Sequence, residues 1–277
     1  MNFLRASLSF AWLEFKALRF YPVNGVLQVI QSFVGVGIWF FVSLFLKDYA
    51  ATSLDAYDGD FVAYMVVGVL FFQNVGTIMT LPFQSLSTAY WDKRLEIYHS
   101  QRHGIWAMIT GRLLWTVLYQ AAISAAILAF AVFFADVTLS RHIQVLPALL
   151  LYGVFILTCF GIGLVGASTF VFLEVKQGRE PVTWLADVFA RIFSGVYYPL
   201  TILPAWLRPV SWAIPHTHAL QGIRQVMING TGLGDLATRS AFFTLLLFCI
   251  IFVSLGIFLL NKALHQAERT NGVGIVV

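Results

Sequence analysis

Long apolar runs alternate with short polar stretches along almost the whole chain. Five of six such runs contain no Asp, Glu, Lys or Arg. At 1.5 Å per residue, about 20 apolar residues cross the ~30 Å hydrocarbon core of a membrane. The pattern therefore predicts an all-α membrane protein with a single transmembrane domain over 1–277. Its six transmembrane helices are predicted at 23–46, 61–83, 113–134, 145–173, 182–198 and 241–260.

The first twenty residues are amphipathic rather than uniformly apolar. Apolar side chains recur at helical spacing, while Arg5, Ser9 and Lys16 lie on another face. We expect an interface helix over 1–20 that lies along the membrane surface. The alternative is the exposed start of the first span. The apolar positions are Leu4, Leu8, Ala11, Phe15 and Leu18.

Four prolines interrupt the stretch that follows the fifth run. Pro199, Pro204, Pro209 and Pro215 recur every five or six residues, and each disfavours helix in the residue before it. We therefore expect short re-entrant helices instead of one continuous helix. Broken backbone at membrane depth is tolerated only where protein or a watery cavity surrounds it. The alternative is a loop at the lipid interface, where Trp and Tyr are common.

Two other polar features stand out. Asp187 and Arg191 lie four residues apart within the fifth run, so they can pair on a helix. Ionisable residues inside a span are costly and often functional, but snorkelling toward water explains them equally well.

The most polar internal stretch is 88–112. It predicts a short helix outside the membrane on the cytoplasmic side, the alternative being a solvated loop.

Composition supports membrane residence and excludes other classes. Hydrophobic residues make up 59% of the chain and charged residues 11%, whereas soluble domains carry roughly 25% charged residues. The net charge of +4 comes from scattered basic residues, which argues against nucleic acid as a partner. Cys159 and Cys249 both lie in apolar runs, so a structural disulfide is not expected.

Three motifs in the second half of the chain resemble type-2 ABC exporter permeases. They are Ser194-Gly-Val-Tyr-Tyr-Pro199, Leu203-Pro-Ala-Trp-Leu207, and a Pro215 to Arg224 element in which His216 replaces the family's usual Leu. The polar stretch resembles the family's coupling loop at Leu95-Glu96 and Gly111-Arg112. Gln101-Arg102-His103 stands there where the family often has a proline.

The resemblance implies a non-catalytic membrane subunit that binds no cofactor of its own. Two separate ATPase subunits would bind ATP and Mg²⁺, and a second permease copy or a relative would complete the path within the membrane lipid. The cargo would be amphiphilic, lipid-linked or polysaccharide. The residues that contact the ATPases would be Asp92, Lys93, Arg94, Leu95, Glu96 and Arg102. The outer gate would contain Phe193, Tyr197, Tyr198 and Trp206, which could equally be interface anchors.

Charge asymmetry predicts the orientation. Twelve of the 17 basic residues fall on the side that holds both termini and the polar stretch. The positive-inside rule makes that side cytoplasmic and places the proline-broken stretch outside. We expect a plasma membrane location, of the bacterial inner-membrane type. The five basic residues counted on the other side are Lys47, Arg141, Arg208, Arg224 and Arg239.

Other chemistry is weakly represented. No lysine follows a glycine, so the chain has no P-loop. A G-x-G-x-x-G match at Gly161, Gly163 and Gly166 lies within an apolar run, where small residues favour helix packing. His216 and His218 have no Cys, Asp or Glu within ten residues, which argues against a metal site. A secondary transporter and a membrane enzyme or anchor without an ATPase partner stay open as alternatives.

Overall fold

The computed structural model describes residues 2–50, 61–101, 103–134, 137, 140, 144–173 and 180–270. Arg102 and most of the charged loop at 174–181 lie outside the described residues. Within them the chain is helical throughout, with one 3₁₀ turn at Leu200–Ile202 and no strand. The ten helices are α1 (Phe3–Phe20), α2 (Pro22–Ala50), α3 (Phe61–Trp91), α4 (Leu95–Ser100), α5 (Gly104–Phe134), α6 (Val145–Phe172), α7 (Pro181–Phe193), α8 (Arg208–Trp212), α9 (Pro215–Met227) and α10 (Leu236–Thr270).

Five helices are long and apolar enough to cross a membrane. These are α2, α3, α5, α6 and α10, and they contain the predicted first, second, third, fourth and sixth spans. Several continue beyond the predicted bounds. Helix α5 begins at Gly104 rather than near 113, and α10 runs to Thr270 rather than ending at 260.

The fifth predicted span differs from the structure. Helix α7 has 13 residues and ends at Phe193, so it is only about 20 Å long. Gly195 then adopts a φ of 73°, a left-handed conformation that glycine reaches without a Cβ penalty. The prediction of a continuous span over 182–198 was therefore wrong in its last turn. Helix α7 alone is too short to cross ~30 Å of hydrocarbon.

Helices α3 and α6 form the centre of the fold. In the most apolar segment of α3, 72% of the residues are buried, whereas the same fraction for α2 is 17%. The glycines of the G-x-G-x-x-G match lie at the seams of α6. A Cβ on Gly161 would come within 2.6 Å of the Val253 backbone nitrogen in α10, and one on Gly163 would collide with the Met79 carbonyl in α3. These glycines therefore serve close helix packing, as their spacing indicates.

The N-terminal helix α1 is attached to α5 through polar contacts. The hydroxyls of Ser7 and Thr110 are 2.8 Å apart. Farther along α1, Arg112 Nε donates to Glu14 Oε1 over 2.7 Å. Leu4, Leu8 and Trp12 lie on the exposed side of α1. The helix thus presents an apolar face away from the bundle, as an amphipathic helix at an interface does.

Candidate functional site

Helix α7 begins at a buried carboxylate. The Glu180 side chain accepts hydrogen bonds from the backbone N–H groups of Val182 (2.8 Å) and Thr183 (2.7 Å), and Pro181 occupies the first turn. Both features favour a helix start, because the first N–H groups have no partner within the helix and proline has no N–H to leave unpaired. Gly166 provides the space, since a Cβ there would lie 2.5 Å from Glu180 Oε1. The sequence motifs did not single out Glu180.

The polar side of α7 carries the charged pair found in the sequence. Arg191 Nε donates to Asp187 Oδ2 over 2.9 Å, and its guanidinium lies over the Phe72 ring at 5.2 Å. Arg191 also donates to the Tyr197 hydroxyl at 3.4 Å. The second carboxylate oxygen, Asp187 Oδ1, is buried and has no hydrogen-bond partner among the described residues. A buried, unpaired acceptor is costly, so it is a place where a ligand group or water would be stabilised.

Asp187 lines a groove of about 540 Å³ between α2, α3 and α7. Most of its polar lining consists of neutral hydroxyl and amide groups, which can both donate and accept hydrogen bonds. Trp184 adds an aromatic face. The groove is therefore suited to a ligand that carries polar groups and an apolar part. The neutral polar residues are Gln31, Thr77, Thr80, Gln84 and Thr183.

One aromatic contact joins α2 to the turn after α7. The rings of Trp39 and Tyr197 stack with centroids 4.1 Å apart and planes inclined by 24°. Phe72, which contacts Arg191, lies four residues before Gly76, the first groove residue of α3, a rise of about 6 Å along the helix. The stacked rings and Arg191 are not among the lining residues, and Arg191 is linked to the groove through Asp187.

The other predicted gate residues are arranged differently. The Tyr198 hydroxyl donates to the Ile192 carbonyl, so it closes the turn after α7. Phe193 contacts Phe189 of the same helix with centroids 5.7 Å apart. Trp206 is 75% exposed. The structure thus groups Tyr197 with Asp187 and Arg191, and it places Trp206 apart from them.

Arg224 was counted as an outer loop charge, but it is a buried residue. It is 2% exposed and donates to three carbonyl oxygens of α3 and the turn after α7. These are the carbonyls of Tyr64 (3.2 Å), Gly195 (2.8 Å) and Val196 (2.9 Å). Its guanidinium also lies 3.5 Å from the centroid of the Tyr64 ring. Arg224 therefore fastens α9 to α3 and to the end of α7.

The two histidines of α9 have different surroundings. His216, at the position where the exporter permeases usually have Leu, lies among the rings of Phe72 and Phe155. Its Nε2 is 3.8 Å from Cys159 Sγ, and its Nδ1 has no partner among the described residues. His218 instead donates from Nε2 to the Trp212 carbonyl over 2.9 Å. The pair does not converge on one point.

The predicted coupling segment forms a sharp turn followed by α4. Lys93 has a φ of 58°, which ends α3 and reverses the chain. Leu95 is 2% exposed and anchors α4 in the core, whereas Asp92, Arg94 and Glu96 are exposed. Tyr98 contacts Phe10 edge-on at 5.5 Å. Helix α4 is thus a charged surface element attached to both α1 and the core, and Leu95 is an anchor rather than a surface contact.

Comparison with known proteins places this architecture in a family. The ABC-2 type transporter family matches residues 6–228, which include helices α2 to α9 and most of α1. The chain belongs to the ABC-2 type transporter family. The resemblance seen in the sequence motifs is thereby confirmed. Together with five helices able to span a membrane, membership makes the chain a multi-pass membrane protein of a transport family.

The chain is also similar, at low sequence identity, to a curated bacterial protein. The chain is 27% identical over 154 residues to the linearmycin resistance permease protein LnrN of Bacillus subtilis (strain 168). The match covers 50% of this chain and 38% of the relative. The chain therefore aligns with well under half of the relative's length.

Proposed function

We propose that the chain is the permease subunit of an ATP-driven exporter whose ATPases are separate chains. The family match from α1 to the end of α9 carries this proposal. It is supported by the sequence, in which no lysine follows a glycine as a P-loop requires. The permease itself is then non-catalytic, and ATP and Mg²⁺ bind to its partners.

The groove between α2, α3 and α7 is the proposed cargo path in one copy. In this proposal the Trp39–Tyr197 stack acts as the closure at one end of the groove, and Arg191 donates to Tyr197 beside it. Helix α2 is the most weakly buried of the spanning helices, which suits a surface that meets a second permease copy or a relative. Parting Trp39 from Tyr197 would open the closed end.

The sixth membrane crossing is assigned to several short helices that together span the membrane. Helix α7 covers part of the thickness, and the turn, α8 and α9 complete it as re-entrant pieces. Both termini and α4 then face the cytoplasm, and Trp206 faces outward, as the distribution of basic residues favours. Helix α1 lies along the inner surface of the membrane, which we expect to be a bacterial inner membrane.

Helix α4 is the proposed contact for the two ATPase subunits. Exposed charges at the start of α4, Glu96 and the preceding Arg94 among them, meet the partner, and the buried Leu95 transmits displacement to the core. Tyr98 passes the same displacement to α1 through Phe10. ATP-driven closure of the ATPases would thereby move α1, α4 and α5 together and part the two permease halves.

The proposed cargo is an amphiphile. The groove combines neutral hydrogen-bonding groups and two carboxylates, Glu180 and Asp187, with Trp184 and other apolar surface. The distant relative is named for resistance to linearmycin, which favours a compound that the cell must expel. A lipid-linked or polysaccharide cargo would need a longer row of aromatic or hydroxyl contacts, which the second copy would supply.

Co-purification tests the proposal. The tagged full chain is extracted in mild detergent from its native cells, and ATPase activity is measured on the proteins that accompany it. We expect a soluble P-loop subunit in about equal amount, with hydrolysis that stops when the P-loop lysine of that subunit is replaced. A chain that purifies alone, with no ATPase in several detergents, contradicts the proposal.

The unpaired oxygen of Asp187 favours one second candidate, an ion-coupled secondary transporter. Acidic residues that face a cavity inside a membrane are typical of such proteins. Transport by reconstituted chain without ATP, driven by a proton gradient and lost in Asp187→Asn, would support this candidate. An ATP requirement with no gradient dependence excludes it.

A further inference from the structure

A second, half-open cavity lies near the start of α3, at Tyr64. It measures about 710 Å³ and is also lined by the turn after α7, α8, α9 and the first turns of α10. It shares no lining residue with the groove. Its volume is in the range of small-molecule sites, so it can hold much more than a single small ion.

The cavity is lined by cationic groups and by no acidic residue among the described ones. Arg208 and Arg224 both line it, together with His218. Arg208 donates to the carbonyls of Leu203 (3.1 Å) and Thr201 (2.9 Å), and Arg224 also donates only to carbonyls. Within the described part of the chain, neither arginine forms an ion pair.

Among the residues that the structure describes, the charge of Arg224 therefore has no counter-ion, although the residue is 2% exposed. Arginine stays protonated in proteins, and a buried charge without an opposite charge is unfavourable even when it is hydrogen-bonded. Each carbonyl contact also leaves guanidinium N–H groups available, because the group carries five donors. An anion in the cavity would compensate both arginines.

The neutral lining suits a headgroup with an attached chain. Helix α10 contributes small residues spaced along one face, at Ala237, Ser240, Ala241 and Thr244. Leu200 and Trp212 add apolar surface, and Gln221 and Gln225 add hydrogen-bonding groups. Phosphate matches the arginine fork, because two parallel N–H groups can bond two phosphate oxygens.

We propose that this cavity binds a phosphate-bearing anionic headgroup, which Arg208 and Arg224 hold against the small-residue face of α10. The site is separate from the proposed cargo path. By the orientation proposed above it lies in the outer half of the membrane. The phosphate belongs either to a membrane lipid or to a soluble phosphate compound. Competition between lipid and soluble phosphate distinguishes the two sources.

The test uses the full chain in nanodiscs of phosphatidylcholine with increasing phosphatidylglycerol, with bound lipid counted by native mass spectrometry. Arg208→Gln removes one cation, and Gln221→Glu adds a repelling carboxylate of almost unchanged shape. Arg239→Gln is the matched control, because Arg239 is exposed on α10 and does not line the cavity. Inorganic phosphate and glycerol phosphate are added as soluble competitors.

We expect phosphatidylglycerol to bind more tightly than phosphatidylcholine. Its affinity should fall roughly tenfold in Arg208→Gln and in Gln221→Glu, since a charge-assisted hydrogen bond is worth about that factor. It should stay within about twofold in Arg239→Gln. Displacement by millimolar inorganic phosphate would assign the site to soluble phosphates, and resistance to it would assign the site to the lipid.

Two results would overturn the proposal. One is equal binding of phosphatidylglycerol and phosphatidylcholine together with no effect of either soluble competitor. The other is binding that is the same in both cavity variants and in the control. Thermal unfolding of each variant is measured in parallel, and Gln221→Glu alone decides the test if Arg208→Gln does not fold.

Discussion

At the scale of single residues, Arg224 holds the broken region of the chain together. Its three carbonyl partners come from α3 and from the turn after α7, and the arginine itself is on α9. The helix ends just before Gly195 and Val196, so their carbonyl oxygens have no partner within α7. Arg224 donates to both, and the Tyr64 hydroxyl adds a second donor to Gly195 over 2.9 Å. One planar group with five donors thus satisfies backbone that proline and glycine leave exposed.

Gly68 is the residue on which this arrangement depends most sharply. A Cβ at that position would collide with Nη2 of Arg224 and lie 2.9 Å from the Val196 carbonyl. We expect Gly68→Ala to lower the free energy of unfolding by about 1–3 kcal/mol, because the guanidinium must leave at least one carbonyl. Thermal unfolding in detergent measures the change.

Gly37→Ala is the matched control for this substitution. Gly37 is also within a spanning helix, and nothing lies within 4 Å of an added Cβ there. The control should be neutral or stabilised by up to about 1 kcal/mol, because alanine favours helix over glycine. Equal destabilisation of the two variants would contradict the role of Gly68 as space for Arg224.

Some residue contacts follow from the sequence and others do not. Asp187 and Arg191 are four apart, so one helix is enough to bring them together, and they do pair. Arg224 is buried by its contacts with Val196, Gly195 and Tyr64, which lie 28, 29 and 160 positions away from it in the sequence. No local pattern encodes such separations, and the charge count therefore placed Arg224 in an outer loop.

At the scale of elements, α7 has a defined beginning and a defined end. Glu180 caps its first N–H groups, and Gly195 reverses the chain after Phe193. The helix thereby aims Asp187 at the groove and Arg191 at Tyr197. Asp187 and Arg191 keep these positions only if both ends of α7 are held in place.

Removing the cap tests how firmly α7 is fixed. We expect Glu180→Ala to cost about 1–2 kcal/mol, the usual range for loss of an N-cap side chain. Glu180→Gln keeps one of the two acceptor oxygens and should cost about half as much, because one of the two N–H groups loses its partner. The free energy of unfolding of both variants measures the effect, and hydrogen exchange should rise at both Val182 and Thr183 in Glu180→Ala but at only one of them in Glu180→Gln. Slow exchange in both variants would show that the cap is dispensable.

The long helices were predictable because about 20 uncharged apolar residues have few alternatives to a spanning helix. The end of α7 was not. The apolar and aromatic run continues through Tyr198, so composition alone extends the helix, whereas Gly195 and Pro199 end it. Turn geometry prevailed over hydropathy there. The short α4 followed from the polarity of its stretch, although the buried position of Leu95 did not.

At the scale of the whole molecule, the account requires α4 and Trp206 to be on opposite sides of the membrane. Single cysteines at Ile97 of α4 and at Trp206 test this, because both positions are exposed. Cys159→Ala and Cys249→Ala provide the background. We expect a membrane-impermeant maleimide to label position 206 in intact cells and position 97 only after permeabilisation. Labelling of both positions in intact cells would contradict the orientation.

The overall architecture was largely predictable, since hydropathy sets the spans and charge asymmetry sets an expected orientation. The groove and the second cavity were not. Each is formed by side chains from three or more helices, and their relative positions depend on helix packing at residues such as Gly161 and Gly163. Spacing in the sequence says nothing about which faces of distant helices meet.

The most direct test of the account is the ATPase rate of the purified complex with and without the charges of α4. We expect Arg94→Ala/Glu96→Ala to reduce permease-dependent stimulation of ATP hydrolysis about tenfold, with membrane insertion and thermal unfolding unchanged, because both side chains are exposed. Arg5→Ala, which removes an exposed charge from α1, should leave the rate as it is. Unchanged stimulation in the α4 variant would contradict the proposal that α4 couples the ATPases to the permease.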